Sequence, residues 1–143
     1  MERVRVAIVD DHEAVRLGFE GSCDSFGFDL AGSAGTVDEL LSQIEGKDCE
    51  VVVTDLSLDD GSLVATNVER LVDAGSAVLI FSISDKPNLM RSALRAGAIA
   101  IVPKSQPMAE LAEAIRLAAK GAIINNSETS ATIDADKLFK DAN

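Results

Sequence analysis

Apolar residues along this chain fall into two alternating patterns. Five short runs recur, at 4–9, 28–31, 51–54, 77–81 and 99–102. Four are rich in β-branched residues, and lengths of about 4–6 residues predict strands. Most are continuously apolar rather than alternating, which suits strands covered on both faces in a parallel sheet. Between the runs the spacing becomes helical. Val37, Leu40, Leu41 and Ile44 fall at i, i+3, i+4 and i+7, and Leu111, Ala114, Ile115 and Ala118 repeat that spacing. Val64, Val68, Leu71 and Val72 nearly do so, while Val15 with Phe19 and Met90 with Ala93 and Leu94 mark two shorter helices. Each pattern gives a helix one apolar stripe to lay on a sheet. Thr36 followed by Glu39 forms a capping-box pattern, and Gly75 and Gly121 stand where helices would stop.

The order is therefore strand then helix, five times over. Right-handed crossovers turn that order into a doubly wound, three-layer α/β domain. Ligands of such sheets bind beyond the carboxyl ends of the strands. The residues predicted there are Asp10 and Asp11 after the first run, Asp55 after the third, Ser82 after the fourth and Lys104 after the fifth. Strands one and three are neighbours in this architecture, so the three acids should converge. Three carboxylates and one ammonium leave a charge of about −2, a costly crowding unless a cation joins them. Mg²⁺ is a hard ion that takes oxygen ligands and keeps several waters, and it would neutralise the site. A carboxylate beside Mg²⁺ and a lysine can attack phosphorus, because both cations absorb charge on the equatorial oxygens. Ser82 could donate a hydrogen bond to the same oxygens. Each residue alone has a plainer explanation. Asp11 could be a helix cap, Asp55 a turn acid, Lys104 a surface charge and Ser82 a core-edge hydroxyl. Their joint placement on the right strand ends favours chemistry. His12 reads as an exposed first-turn residue rather than a phosphate carrier.

Composition narrows the function classes. Of 143 residues, 13 are Lys or Arg and 24 are Asp or Glu, a net charge of −11. So acidic a chain is ill-suited to grip nucleic acid or an anionic membrane by itself; a metal ion or a cationic protein patch is the natural partner. With no Trp, no Tyr and five Phe, flavin or base stacking has little to use. Cys23 and Cys49 form no CxxC pair, so reduced thiols are expected. The charged N-terminus runs straight into a strand, and no stretch reaches the roughly 18 apolar residues of a membrane span. These features predict a cytoplasmic protein with no membrane partner. After Gly121 the chain turns polar, and 122–143 reads as a linker leading out of a domain at 1–121.

Asp10-Asp11, Asp55, Ser82 and Lys104, with 44 residues from Asp11 to Asp55 and 22 from Ser82 to Lys104, resemble the signature positions of response-regulator receiver domains. The runs Asp10-Asp11-His12-Glu13-Ala14-Val15-Arg16 and Leu94-Arg95-Ala96-Gly97-Ala98 resemble the NarL/LuxR branch of two-component signalling. The resemblance covers about 1–121. It implies a flavodoxin/CheY-like (βα)5 fold with five parallel strands in order 2-1-3-4-5. It implies that Asp55 is the phosphoacceptor. Mg²⁺ would be bound by Asp11, Asp55 and the Ser57 backbone carbonyl, with Asp10 helping through water. Ser82 and Lys104 would bind the acyl phosphate and act as the switch. A sensor histidine kinase would be the donor, phosphorylation would promote a homodimer, and DNA would be bound only through a C-terminal helix-turn-helix domain absent from these residues. Surfaces implied for dimerisation are helix four to helix five, or helices one and five, with Val15 and Arg16 contributing to the latter. Some positions depart from the pattern. Ile101 stands where an aromatic is usual, and Ile83, which is bulkier than usual, would crowd the phosphoryl pocket. Pro103 precedes Lys104, which suits an edge strand, and Asp59 replaces the usual proline of the phosphoacceptor loop. Two alternatives remain open: a pseudo-receiver that binds partners without phosphorylation, and a Mg²⁺-dependent aspartyl phosphatase. Against the phosphatase, Asp10 and Asp11 are adjacent rather than separated by one residue.

Overall fold

A computed structural model of the chain describes residues 3–83 and 86–121. The predicted linker at 122–143 lies outside the described residues. The elements are β1 (Val4–Val9), α1 (Glu13–Cys23), a 3-10 turn (Asp24–Phe26), β2 (Phe28–Ala34), α2 (Val37–Ile44), β3 (Val51–Thr54), α3 (Val64–Asp73), β4 (Ala77–Ser82), α4 (Pro87–Ala96), β5 (Ala100–Pro103) and α5 (Met108–Ala119). The five strands pair in parallel in the order β2-β1-β3-β4-β5, the predicted fold.

The continuous apolar runs arise because both faces of the sheet are dry. Val6, Ile8, Val51, Val53, Leu79, Ala100 and Val102 point to one face, where Phe19 of α1 and Leu111 and Ile115 of α5 cover them. Ala7, Val9, Val52, Val78, Ile80 and Ile101 point to the other, beneath Leu40 of α2, Val68 and Leu71 of α3, and Met90 of α4. Alternate residues of one strand thus enter different cores, so the runs stay apolar up to the strand ends. Thr36 caps α2 as the capping pattern predicts, its Oγ1 accepting the Glu39 N–H at 3.1 Å.

The largest boundary difference from the sequence reading is in β2; β4 ends one residue later than its run, and β5 starts and ends one residue later. β2 continues through Gly32 and Ser33 to Ala34, past the end of the apolar run. Its pairing slips between Val6↔Leu30 and Ala7↔Gly32, so Ala31 is an extra residue forming a bulge. β2 is an edge strand, and Gln43 of α2 supplies what a further strand would. Gln43 Oε1 accepts the Ser33 N–H at 2.8 Å, and Gln43 Nε2 donates to the Ser33 carbonyl at 2.9 Å. A side chain ten residues away thereby extends the strand, which periodicity cannot register.

The two cysteines are free, buried and lodged in opposite cores, so they cannot pair. Burial, helped by the charge of Glu20, pushes the Cys23 thiol up to about 11. Burial also raises Cys49, outweighing the hydrogen bonds it shares with Ser76 and Val51. Neither thiol should react with Ellman's reagent in the folded protein at about pH 8, and both should react in urea. Rapid native-state labelling of either would show that its core opens readily.

Candidate functional site

The carboxyl ends of β1, β3, β4 and β5 share one edge of the sheet, and backbone bonds carry the ladder one residue further. The Asp10 N–H donates to the Ala34 carbonyl, the Asp55 N–H to the Val9 carbonyl and the Lys104 N–H to the Ser82 carbonyl, each at 3.0 Å. Strand register, rather than loop conformation, therefore sets where these side chains begin.

The side chains converge. Lys104 Nζ donates to Asp10 Oδ2 at 2.6 Å and to Asp55 Oδ2 at 3.2 Å. Asp10 Oδ1 accepts the His12 backbone N–H at 2.8 Å and lies 3.0 Å from His12 Nδ1. Asp55 Oδ1 accepts the Leu56 N–H at 2.7 Å. Asp11 Oδ2 accepts the Asp59 N–H at 3.0 Å. Asp10 is 1% exposed, Asp55 8%, and the Lys104 side chain 10%, so little water screens these charges.

Proton affinities follow from this crowding. Burial works against the charge on Lys104, but its bond to Asp10 and the charges of Asp55 and Asp10 hold its pKa above the ordinary lysine value. His12, whose side chain is 62% exposed, is raised by its hydrogen bond to Asp10 and by the charges of Asp10 and Asp11. Burial would raise Asp11, yet the hydrogen bonds from Asp59 prevail and lower it. Asp59 is raised in turn, by its hydrogen bond to Asp11 and by the Asp11 charge.

The donor set fits a hard divalent cation. Ligand atoms of Asp10, Asp11, His12 and Asp55 all lie within 4.8 Å of one another. Asp11 Oδ1 is buried and accepts no hydrogen bond, with His12 Nδ1 3.3 Å away. A buried carboxylate oxygen without a donor, inside a surplus of negative charge, is a group that a cation would satisfy.

Of the sequence-predicted residues, Lys104 bonds Asp10 and Asp55 directly, and Asp11 has a carboxylate oxygen within 4.8 Å of theirs. Ser82 is buried at the end of β4, paired in register with Pro103, beside Lys104 through the backbone. Ser57 sits exposed in the loop after Asp55. Ile83, just past the end of β4, is 83% exposed. Ile101 is 2% exposed within the core under α3 and α4, and Pro103 closes the edge strand β5 as expected. Three contacts escaped the sequence reading. His12 touches both neighbouring acids through Nδ1. Arg16, offered for the surface of helices one and five, is half-buried and donates from Nη1 to the Asp10 carbonyl at 2.6 Å. Asp59 contributes a backbone donor to Asp11. Spacing one helical turn past the Asp pair could have flagged Arg16; no residue-type signal marks a backbone N–H.

Comparison with known proteins places this arrangement. Residues 6–116 match the response regulator receiver domain family. The DNA-binding transcriptional activator DevR/DosR of Mycobacterium tuberculosis is 32% identical over 139 residues, covering 92% of this chain and 62% of that protein. The transcriptional regulatory protein UhpA of Escherichia coli is 30% identical over 122 residues, 82% of this chain and 60% of UhpA. The chain thus spans about three fifths of the length of these curated relatives. Among solved structures, a LuxR-family two-component response regulator from Aurantimonas sp. SI85-9A1 superposes with a TM-score of 0.81 at 25% identity, covering 96% of this chain and 99% of that one. The signal receiver domain of the response regulator NarL from Mycobacterium tuberculosis gives a TM-score of 0.75 at 27% identity, over 85% of this chain and 99% of that one. No described helix is long and apolar enough to cross a membrane. On the family match and the relatives that share it, this chain belongs to the response regulator receiver domains, with NarL/LuxR-type transcription regulators of two-component signalling as its homologues.

Proposed function

We propose that residues 1–121 form a phosphorylation-controlled switch whose phosphoacceptor is Asp55, and that 122–143 lead toward a DNA-binding domain. The observation that carries this reading is the Lys104 ammonium bridging Asp10 Oδ2 and Asp55 Oδ2. The bridge is unequal. Its shorter arm, 2.6 Å against 3.2 Å, rests on Asp10, so Asp55 Oδ2 is the less neutralised oxygen and keeps electron density for attack on phosphorus. The donor is a phosphohistidine of a sensor kinase. An Asp55 oxygen forms a bond to phosphorus as the P–N bond breaks, and the bonding pair stays on the imidazole nitrogen. Asp10, Asp11, Asp55 and the Ser57 carbonyl would hold Mg²⁺, which supplies positive charge to the transferring phosphoryl oxygens. Lys104 and Ser82 hold the product phosphoryl group, and their shift toward it is the signal that alters dimerisation and the attached regulator. This is a single transfer to the chain's own aspartate and not substrate turnover, and it takes place in the cytoplasm.

The test is intact-mass spectrometry after incubation with acetyl phosphate and Mg²⁺. One labile acyl phosphate should form on Asp55, and Asp55→Ala or chelation by EDTA should abolish uptake. Uptake by Asp55→Ala at the wild-type level would move the site elsewhere. No uptake by a folded wild-type chain would favour the pseudo-receiver.

A further inference from the structure

Asp59 has an exposed side chain in the loop after β3, but its backbone is not free. On one side Leu58 is buried in the core under α2 and α3. On the other, Asp60 Oδ1 accepts both the Ser62 N–H, at 2.9 Å, and the Ser62 hydroxyl. The Ser62 hydroxyl oxygen in turn accepts a bond from Nδ2 of the buried Asn67 on α3, at 2.9 Å. Gly61 takes φ +78°, where a side chain would strain the turn. The peptide at 59 is therefore strung between two anchors, and its N–H ends 3.0 Å from Asp11 Oδ2.

That backbone bond, beside which the Asp59 carboxyl also meets Asp11, divides the labour of the Asp11 carboxylate. Oδ2 is occupied by the N–H, whereas Oδ1 is buried without a hydrogen bond, with His12 Nδ1 3.3 Å away. A cation approaching Oδ1 meets a carboxylate already turned and need not displace the bond on Oδ2. We propose that Asp59 is a positioning residue: its backbone N–H holds Asp11 in the orientation that presents Oδ1 to a divalent cation. The inference rests on the reading of this site as a Mg²⁺-assisted phosphoacceptor. It assigns the role to the main chain, so proline at 59 should abolish it and any other residue should keep it.

Two measurements test this. In metal-free protein, NMR should find the Asp59 amide slow to exchange for so exposed a residue. Asp11→Ala should then speed its exchange at least about tenfold, since the acceptor is gone. By calorimetry, Asp59→Pro should bind Mg²⁺ roughly fivefold more weakly than Asp59→Ala, which lacks the same carboxylate beside Asp11 but keeps the N–H; that is the loss expected when one more side chain must be ordered on binding. A urea midpoint for Asp59→Pro checks its fold, and the amide measurement decides the matter if that variant does not fold. The proposal is overturned if the wild-type amide exchanges freely or ignores Asp11→Ala. It is equally overturned if a folded Asp59→Pro binds Mg²⁺ as tightly as Asp59→Ala does. A wild-type chain with the protected amide and tight Mg²⁺, yet no phosphate on Asp55, would sink the phosphoacceptor reading and leave the positioning role standing.

Discussion

Lys104→Ala should destabilise the metal-free domain by about 3–5 kcal/mol, the usual loss when one partner of a buried ion pair is removed. Asp10 is 1% exposed and Asp55 8%, so neither stranded carboxylate can turn to water without moving the sheet end that carries it. Asp10 retains the His12 N–H on Oδ1, and Asp55 retains the Leu56 N–H on Oδ1. Both lose the donor on Oδ2. The stranded charge, rather than the lost attraction, dominates the effect. Adding Asp10→Asn to Lys104→Ala should therefore recover much of the stability, because the more buried charge is then absent. Millimolar Mg²⁺ should also recover part of it in Lys104→Ala by replacing the lost cation. Urea denaturation with and without Mg²⁺ reads all three. A loss under about 1 kcal/mol, as for solvent-exposed pairs, would mean that water reaches these carboxylates.

Gly32→Ala should cost about 1–3 kcal/mol through overpacking. A Cβ there would lie 2.8 Å from Leu40 Cδ1, 2.9 Å from Gln43 Oε1 and 3.3 Å from Ile44 Cγ2. Gln43 could withdraw, but it would release its bonds to Ser33. Leu40 is 0% exposed and has nowhere to go. The two positions are therefore coupled. Leu40→Ala alone should cost roughly 2–5 kcal/mol by opening a cavity. Combined with Gly32→Ala it should cost clearly less than the sum, since each change relieves the other. Strict additivity in urea midpoints would show that the approach of α2 to β2 is looser than 2.8 Å.

The order of elements was legible because it depends on neighbours a few residues apart. Val51–Thr54 reads as a buried strand and Val37–Ile44 as an amphipathic helix without knowing what covers them. The end of β2 was not legible. Gly32 and Ser33 break the apolar run, and what continues the strand is Gln43 from the next helix. The site was legible in kind. Carboxylates and a lysine at predicted strand ends, read with the resemblance, named Asp10, Asp11, Asp55 and Lys104. The same reading offered Arg16 for one of two dimer surfaces and did not foresee that its guanidinium donates to the Asp10 carbonyl.

By itself, the sequence determined the parallel α/β plan, the acidic surplus and the acids and lysine that follow β1, β3 and β5, because periodicity and composition are local properties of a chain. Only the tertiary structure decided that Lys104 reaches across 94 residues to Asp10 and 49 to Asp55. It also decided that His12 leans on two acids and that the amide of Asp59 orients Asp11. Those contacts depend on strand register and loop anchoring to within a hydrogen bond's tolerance, and backbone donors carry no residue-type signature. The physical reason is that charge can be counted along a sequence, while the partner that balances each charge is fixed by distances that exist only after the sheet has closed.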